Sequence, residues 1–149
     1  MTTTTPPASV RSVLTGMYAA ELRYLAAGGP GRASFATLAP SFAPDVVLHQ
    51  ADALPYGGTW RGHEGLERFF LAMSDTWAEF AIAEQEFVAD GGPGPSGTAV
   101  VRSDIRARSR ATGRALAFPI LQTVRVESGR IAEVHPFYWD TAAIAAACA

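Results

Sequence analysis

The second half of the chain alternates long β-rich segments with sharp turn sequences, and that alternation restricts the fold more than anything else in the sequence. Four strand-like segments, 79–89, 97–110, 114–127 and 130–139, are divided by DGGPGPSG, ATG and ESG, which is hairpin punctuation. Strands joined by tight turns pair antiparallel, so this half reads as a meander. The first half is patterned differently. Val10, Leu14, Met17 and Leu25 recur at helical spacing over 10–27 until AGGPG stops the helix. A short helix fits 32–38, a strand fits DVVLHQ at 45–50, and the turn-rich ADALPYGGTWRG leads into a third helix over 63–77. That helix carries Leu66, Phe69, Phe70 and Met73 on one stripe. Helices followed by a meander predict an α+β fold, with three N-terminal helices packed on one face of a curved antiparallel sheet.

At 149 residues the chain is one domain long. The reading is a disordered tail over 1–8 and a single domain over 9–149. A net charge of -2 and a pI of about 5.9 lack the basic footprint of a nucleic-acid binder. The lone cysteine, Cys148, excludes an internal disulfide and any cysteine cluster, which points to a reducing compartment. MTTTTPPAS has neither the basic start nor the apolar stretch of a signal peptide, and no apolar run reaches the roughly 18 residues of a membrane span. The expectation is a cytoplasmic protein with no membrane partner.

Strand alternation sorts candidate site residues into faces. Even positions carry Arg102, Asp104 and Arg106 on one strand and Leu116, Phe118, Ile120 and Gln122 on the next. On the last strand Tyr138 and Asp140 share a face. Asp140 follows three aromatic rings and precedes TAAIAAACA, so it either caps that helix or serves as the acid/base of an aromatic-walled pocket. Arg102 and Asp104 are either part of that site or a solvated ion pair. Glu21 falls near the middle of the first helix's apolar face with Tyr18 and Tyr24 on its flanks. It is a buried pocket acid or a partly exposed helix residue. Tyr56 and Trp60 lie in the turn-rich loop, placed to line or cover a pocket. Phe69, Phe70, Trp77 and Phe87 read as core. His49 is out of phase with Leu48 and Gln50 and so faces outward, His135 reads as structural, and His63, opening a helix, faces solvent. The three histidines have no ligand spacing, so no metal site is expected.

Four stretches, FAPDVVLHQ into LPYGGTWRGHEGLERFF, then RATGRALAFPILQTVRVESGRIAEV, then FYWDTAA, resemble the SnoaL-like branch of the nuclear transport factor 2-like superfamily over residues 10–145. The resemblance implies a cone-shaped roll, cystatin-like in class, with a pocket between the helices and the concave sheet face. It also implies a homodimer through the back face, where Val101, Ile105 and Leu121 would otherwise lie exposed. The ketosteroid isomerase positions for two catalytic acids fall on Gln50 and Gln122, whose amides take no proton at neutral pH, while the helix-borne tyrosine donor falls on Tyr24. The SnoaL-type cyclase Asp falls on Asp140. Limonene-epoxide hydrolase adds an Arg-x-Asp, matched by Arg102 and Asp104, and a Tyr and an Asn, which here are Leu48 and Gln50. The resemblance therefore implies catalysis by Asp140, Asp104 and Arg102. In such a row the Arg keeps one carboxylate ionised as base, while the drier one is raised and donates. Tyr24, Glu21, Gln50, Tyr56, Trp60, Phe118, Ile120, Gln122 and Tyr138 would bind substrate, and no metal or organic cofactor is needed. The expected function is a cyclase, isomerase or epoxide hydrolase acting on an oxygenated, largely apolar small molecule. The alternative is a ligand-binding domain without turnover.

Overall fold

Helix α1 spans Val10–Ala26 in the computed structural model, which describes residues 8–149. Apart from Ala8, the tail expected at the N-terminus lies outside the described residues. The Ser9 hydroxyl caps α1 by accepting from the Ser12 N–H at 3.1 Å, which satisfies one of the unpaired donors of the first turn. Val10, Leu14, Met17, Ala20 and Tyr24 form its buried stripe. Instead of one short helix over 32–38, two 3-10 turns follow, Phe35–Thr37 and Ala39–Ser41. Pro40 has no N–H for an α ladder, so the segment tightens and breaks.

The chain then runs β1 (Phe42–Gln50), β2 (Gly58–Arg61), α2 (Gly62–Thr76), β3 (Trp77–Ala89), β4 (Gly97–Ser109), β5 (Ala115–Glu127), β6 (Arg130–Tyr138) and α3 (Thr141–Cys148). Strand β2 is missing from the sequence reading, because four residues inside GGTWRG carry too little alternation. It pairs antiparallel with β1, with Leu48 opposite Trp60 and Gln50 opposite Gly58. Gly62, at φ +70°, turns β2 straight into α2, a conformation that costs glycine little.

The sheet order is β2-β1-β6-β5-β4-β3. The meander β3–β6 is antiparallel as expected, but β1 lies parallel to β6. A parallel neighbour needs a long crossover, and α2 with the rest of the meander supplies it. Strand β3 forms one edge, guarded by exposed Glu79, Glu84 and Glu86, the kind of charge that discourages edge-to-edge pairing.

Register decides the faces. Val101 pairs with Gln122, Ser103 with Ile120, Ile105 with Phe118, and Ala107 with Leu116, while Ile120 pairs with Tyr138. Directly paired residues share a face. This inner face belongs to the same core as Leu14, Met17 and Tyr24 of α1, and the Arg11 guanidinium sits 4.5 Å over the Phe87 ring. The shared face expected for Phe118, Ile120, Gln122 and Tyr138 is therefore present. Arg102 and Asp104 instead pair with Leu121 and Pro119 on the outer face. The odd residues of β4 face the even residues of β5, and an offset of one residue turns every side chain over. The dimer patch needs the same correction. Val101 and Ile105 are buried inward, and the exposed apolar groups outside include Leu121 and Phe137.

Candidate functional site

A continuous run of aromatic rings crosses the interior from α1 to the meander. Tyr24 touches Phe70 at 5.7 Å between ring centres, Phe70 touches Phe69, and Phe69 touches Tyr56 at 5.9 Å. Tyr56 meets Tyr138, Tyr138 stacks on Phe118 at 5.7 Å, and Phe118 meets Trp77. Each ring comes from a different packing constraint: the α2 stripe supplies Phe69 and Phe70, the β1–β2 turn supplies Tyr56, and strand parity supplies Phe118 and Tyr138. Trp60, on β2 rather than in the loop, packs on Phe69 and donates its indole N–H to the Tyr56 carbonyl at 3.1 Å.

Polar atoms are few within this run, and several have no partner. The Tyr56 and Tyr138 hydroxyls share a hydrogen bond of 2.7 Å, and the Trp77 indole N–H donates to the Tyr56 oxygen at 3.4 Å. The Tyr18 and Tyr24 hydroxyls and the Gln50 side-chain carbonyl are buried without a hydrogen-bond partner. An unpaired buried polar group costs on the order of 1–3 kcal/mol, so three of them in one interior is expensive for a fold that needs only a core. Each of them is open to a polar partner.

Glu21 adds the ionisable group. It lies on the inward side of α1, in line with Leu14, Met17 and Tyr24, half-buried, as the helical spacing of the sequence places it. Burial pushes its carboxyl up to about 7, with no neighbouring cation or donor to offset the effect. Tyr18, one turn earlier, is raised by burial first and by the Glu21 charge second. Burial also pushes Tyr56 up to about 12, and the hydrogen bonds from Tyr138 and Trp77 moderate the shift. Tyr138 is raised well above its ordinary value by burial and then by Tyr56. All these hydroxyls are donors at neutral pH, and Glu21 is poised between acid and base.

The three residues expected to be catalytic are not brought into this interior. Asp140 is exposed, and its side chain accepts from the Ala143 N–H at 3.0 Å as the N-cap of α3. The sheet ends at Tyr138, so strand parity no longer orients a residue two places on. Arg102 donates to Asp104 at 3.3 Å, with the two side chains 50% and 41% exposed. They form a solvated pair beside an open outer groove of about 310 Å³ that Asp104 and Arg106 help line. Of the expected binding residues, Tyr56, Trp60, Phe118, Ile120 and Tyr138 come together, Tyr24 joins them through Phe69 and Phe70, and Gln50 and Gln122 face inward. Trp77 was legible only as core, although a buried indole N–H signals a polar partner.

The histidines also change place. His63 does not face solvent freely; its ring nitrogen hydrogen-bonds the Phe42 carbonyl at 3.0 Å. His49 faces outward as expected, but it stacks on His135 with ring centres 4.0 Å apart and contacts Glu133 at 3.0 Å. His49, Glu133 and His135 hold their ligand atoms within 4.8 Å of one another, a grouping that sequence spacing did not reveal.

Comparison with known proteins agrees with this architecture. The family described as the SnoaL-like domain matches residues 15–134. A nuclear transport factor 2-like protein from Burkholderia xenovorans LB400 superposes with a TM-score of 0.78 at 21% identity, over 95% of this chain and 98% of its own. TerC, crystallised with polyporic acid, gives 0.72 at 17% identity over 93% and 97%. A protein named as a candidate polyketide cyclase, from Pseudomonas putida KT2440, gives 0.69 at 14% identity over 95% and 99%. At these identities the structures establish likeness of fold. No protein with a curated description matches the chain.

Proposed function

The chain belongs to the SnoaL-like domain family, and on that footing we propose that it is a small-molecule enzyme working by carboxylate acid/base chemistry in an apolar pocket. One observation carries the reading: Glu21, a carboxyl raised to about 7 by burial, on the inward face of α1. A group titrating near neutrality is efficient at both taking and returning a proton. Glu21 thus replaces Asp140, Asp104 and Arg102 as the working acid. In an isomerisation or ring closure, ionised Glu21 removes a proton next to a carbonyl while a raised tyrosine hydroxyl donates to the oxygen that gains charge. In epoxide opening, ionised Glu21 takes a proton from the water that attacks the ring carbon, and a tyrosine hydroxyl gives its proton to the oxygen as the C–O bond breaks. The substrate class is an oxygenated, largely apolar molecule, because aromatic walls dominate and acceptors and donors are sparse. The candidate polyketide cyclase and TerC with its polyporic acid share this fold, which supports a small-molecule occupant. We include in the proposal a homodimer through the outer face around Leu121 and Phe137, and a cytoplasmic setting. No helix among the described residues is long and apolar enough to cross a membrane.

A second reading is a binding domain without turnover, and the engagement of Asp140 as a cap favours it. The deciding experiment screens oxygenated aromatic and polyketide-like compounds for binding and conversion, then compares wild type with Glu21→Gln. The enzyme reading expects a loss of turnover of about 100-fold or more, with binding and fold retained. Conversion at the wild-type rate by Glu21→Gln would overturn Glu21's role, and tight binding with no conversion by either protein would establish the binder.

A further inference from the structure

We propose that His49, Glu133 and His135 form a binding site for a divalent transition-metal ion on the outer face of the sheet, separate from the aromatic interior. Glu133 and His135 are two apart on β6 and therefore share a face. The parallel register sets Val47 beside Glu133 and Leu48 beside Val134, which carries His49 alongside His135. Two imidazoles and one carboxylate thus meet from two neighbouring strands of a rigid sheet, with ligand atoms within 4.8 Å of one another. The His49 and Glu133 side chains are each 33% exposed, so the cluster is partly shielded and still open to solvent.

The donor set selects the ion. Imidazole suits zinc, nickel, copper and cobalt rather than magnesium or calcium. Two histidines with one glutamate make a three-ligand set that leaves a position open to water or an outside ligand. Metal–ligand bonds of about 2.0–2.2 Å require the ligand atoms to close to roughly 3.3 Å. The two rings now lie nearly parallel at 5° with centres 4.0 Å apart, so closure requires their side chains to move. Arg125 also faces the cluster, its Nε 3.7 Å from the second Glu133 oxygen. It leaves the other oxygen, the one that contacts His49, available to the ion. Arg61 of β2, opposite Val47, and Glu127 of β5, paired with Arg125, are the other charges on this face beside the cluster. Each imidazole offers the ion a lone pair.

The test uses the untagged full chain, stripped with chelator and carrying Cys148→Ser to remove the thiol as a rival ligand. Calorimetric titration with zinc or nickel chloride is expected to show one ion per chain. His49→Ala and His135→Ala should each weaken it by at least the roughly tenfold that even an outer-shell change costs, and His63→Ala should leave it unaltered. Cobalt(II) added to the same chain should broaden the NMR signals of the His49 and His135 rings and spare His63, a reading that needs no histidine variant to fold. Saturation at half an ion per chain, unchanged binding by His49→Ala/His135→Ala, or cobalt broadening centred elsewhere would overturn the site.

Discussion

Glu21 and Glu133 are the same side chain on opposite sides of one sheet, and their acidities move in opposite directions. Burial against the inner face raises Glu21 to about 7. On the outer face Glu133 is held below the usual carboxylate range, first by its hydrogen bond with His49 and further by His135 and Arg125. Inside, burial strips much of the water from Glu21 and no cation offsets it; outside, partners are abundant and solvent screens them. The contrast shows that the face a carboxylate occupies, more than its identity, decides whether it serves as a proton carrier at neutral pH or as a fixed negative charge. The two also act oppositely on stability. Glu133 supports the fold above its unfolded value and loses that support as pH falls through its lowered one, whereas Glu21 opposes the fold once it ionises.

The comparison breaks most directly at adjacent residues of β4. Val101 is fully buried on the inner face, and Arg102 is exposed on the outer one. Val101→Asp places an unpaired charge in the core and should cost about 4 kcal/mol or more, enough to unfold a domain of this size. Arg102→Ala loses only a solvated pair and should stay within about 1 kcal/mol. Urea melts of the two variants check this. A lower midpoint for Arg102→Ala than for Val101→Asp would mean that the faces of β4 are assigned the wrong way round.

That pair of neighbours also marks where the sequence stopped being legible. Helices α1 and α2 were readable because their stripes are local and helical spacing needs no partner, but that spacing left open whether Glu21 is a buried acid or a partly exposed one. The hairpins of the meander were readable from their turn residues. Which face of β4 joins which face of β5 depends on one residue of register at the 110–114 turn, and alternation within each strand cannot supply that. The cluster of His49 with Glu133 and His135 depends on β1 joining β6 in parallel across more than eighty residues, a contact with no local trace. Asp140 misled for a third reason, since parity was extended two residues past the end of its strand.

A smaller effect sharpens the comparison on the inner side. Glu21→Gln removes the group that must stay protonated to sit comfortably in the interior. Below pH 4.5 both proteins are neutral there, and their stabilities should differ little. As pH rises from 4.5 to about 7 the wild type carries a growing ionisation cost, and by pH 8 the variant should be more stable by roughly 2–3 kcal/mol, less whatever partial access to water recovers. Thermal melts of both proteins from pH 4 to 8 read the difference. A gap that does not change with pH would mean Glu21 titrates as an ordinary solvated carboxylate, and the inner face would lose its proton carrier.

The smallest effect concerns Asp140. Its Oδ1 accepts the Ala143 N–H, and its backbone carbonyl receives Ile144, so it starts the helix that presses Ile144 and Ala147 into the core. The far end of that helix is tied down separately, because the Thr112 hydroxyl donates to the Ala147 carbonyl at 2.5 Å. Losing the cap therefore frays one turn and leaves α3 docked. Asp140→Ala should cost about 1 kcal/mol, and Asp140→Asn, whose amide oxygen still accepts, a few tenths. Because the carboxylate is exposed and faces none of the interior groups, Asp140→Asn should turn substrate over at the wild-type rate under the same conditions in which Glu21→Gln fails. Loss of turnover in a stably folded Asp140→Asn would show that the end of β6 rearranges around the ligand and brings this carboxylate inside. The proton carrier would then sit at the sheet's end rather than on α1, and the distinction between the faces would hold only for the empty protein.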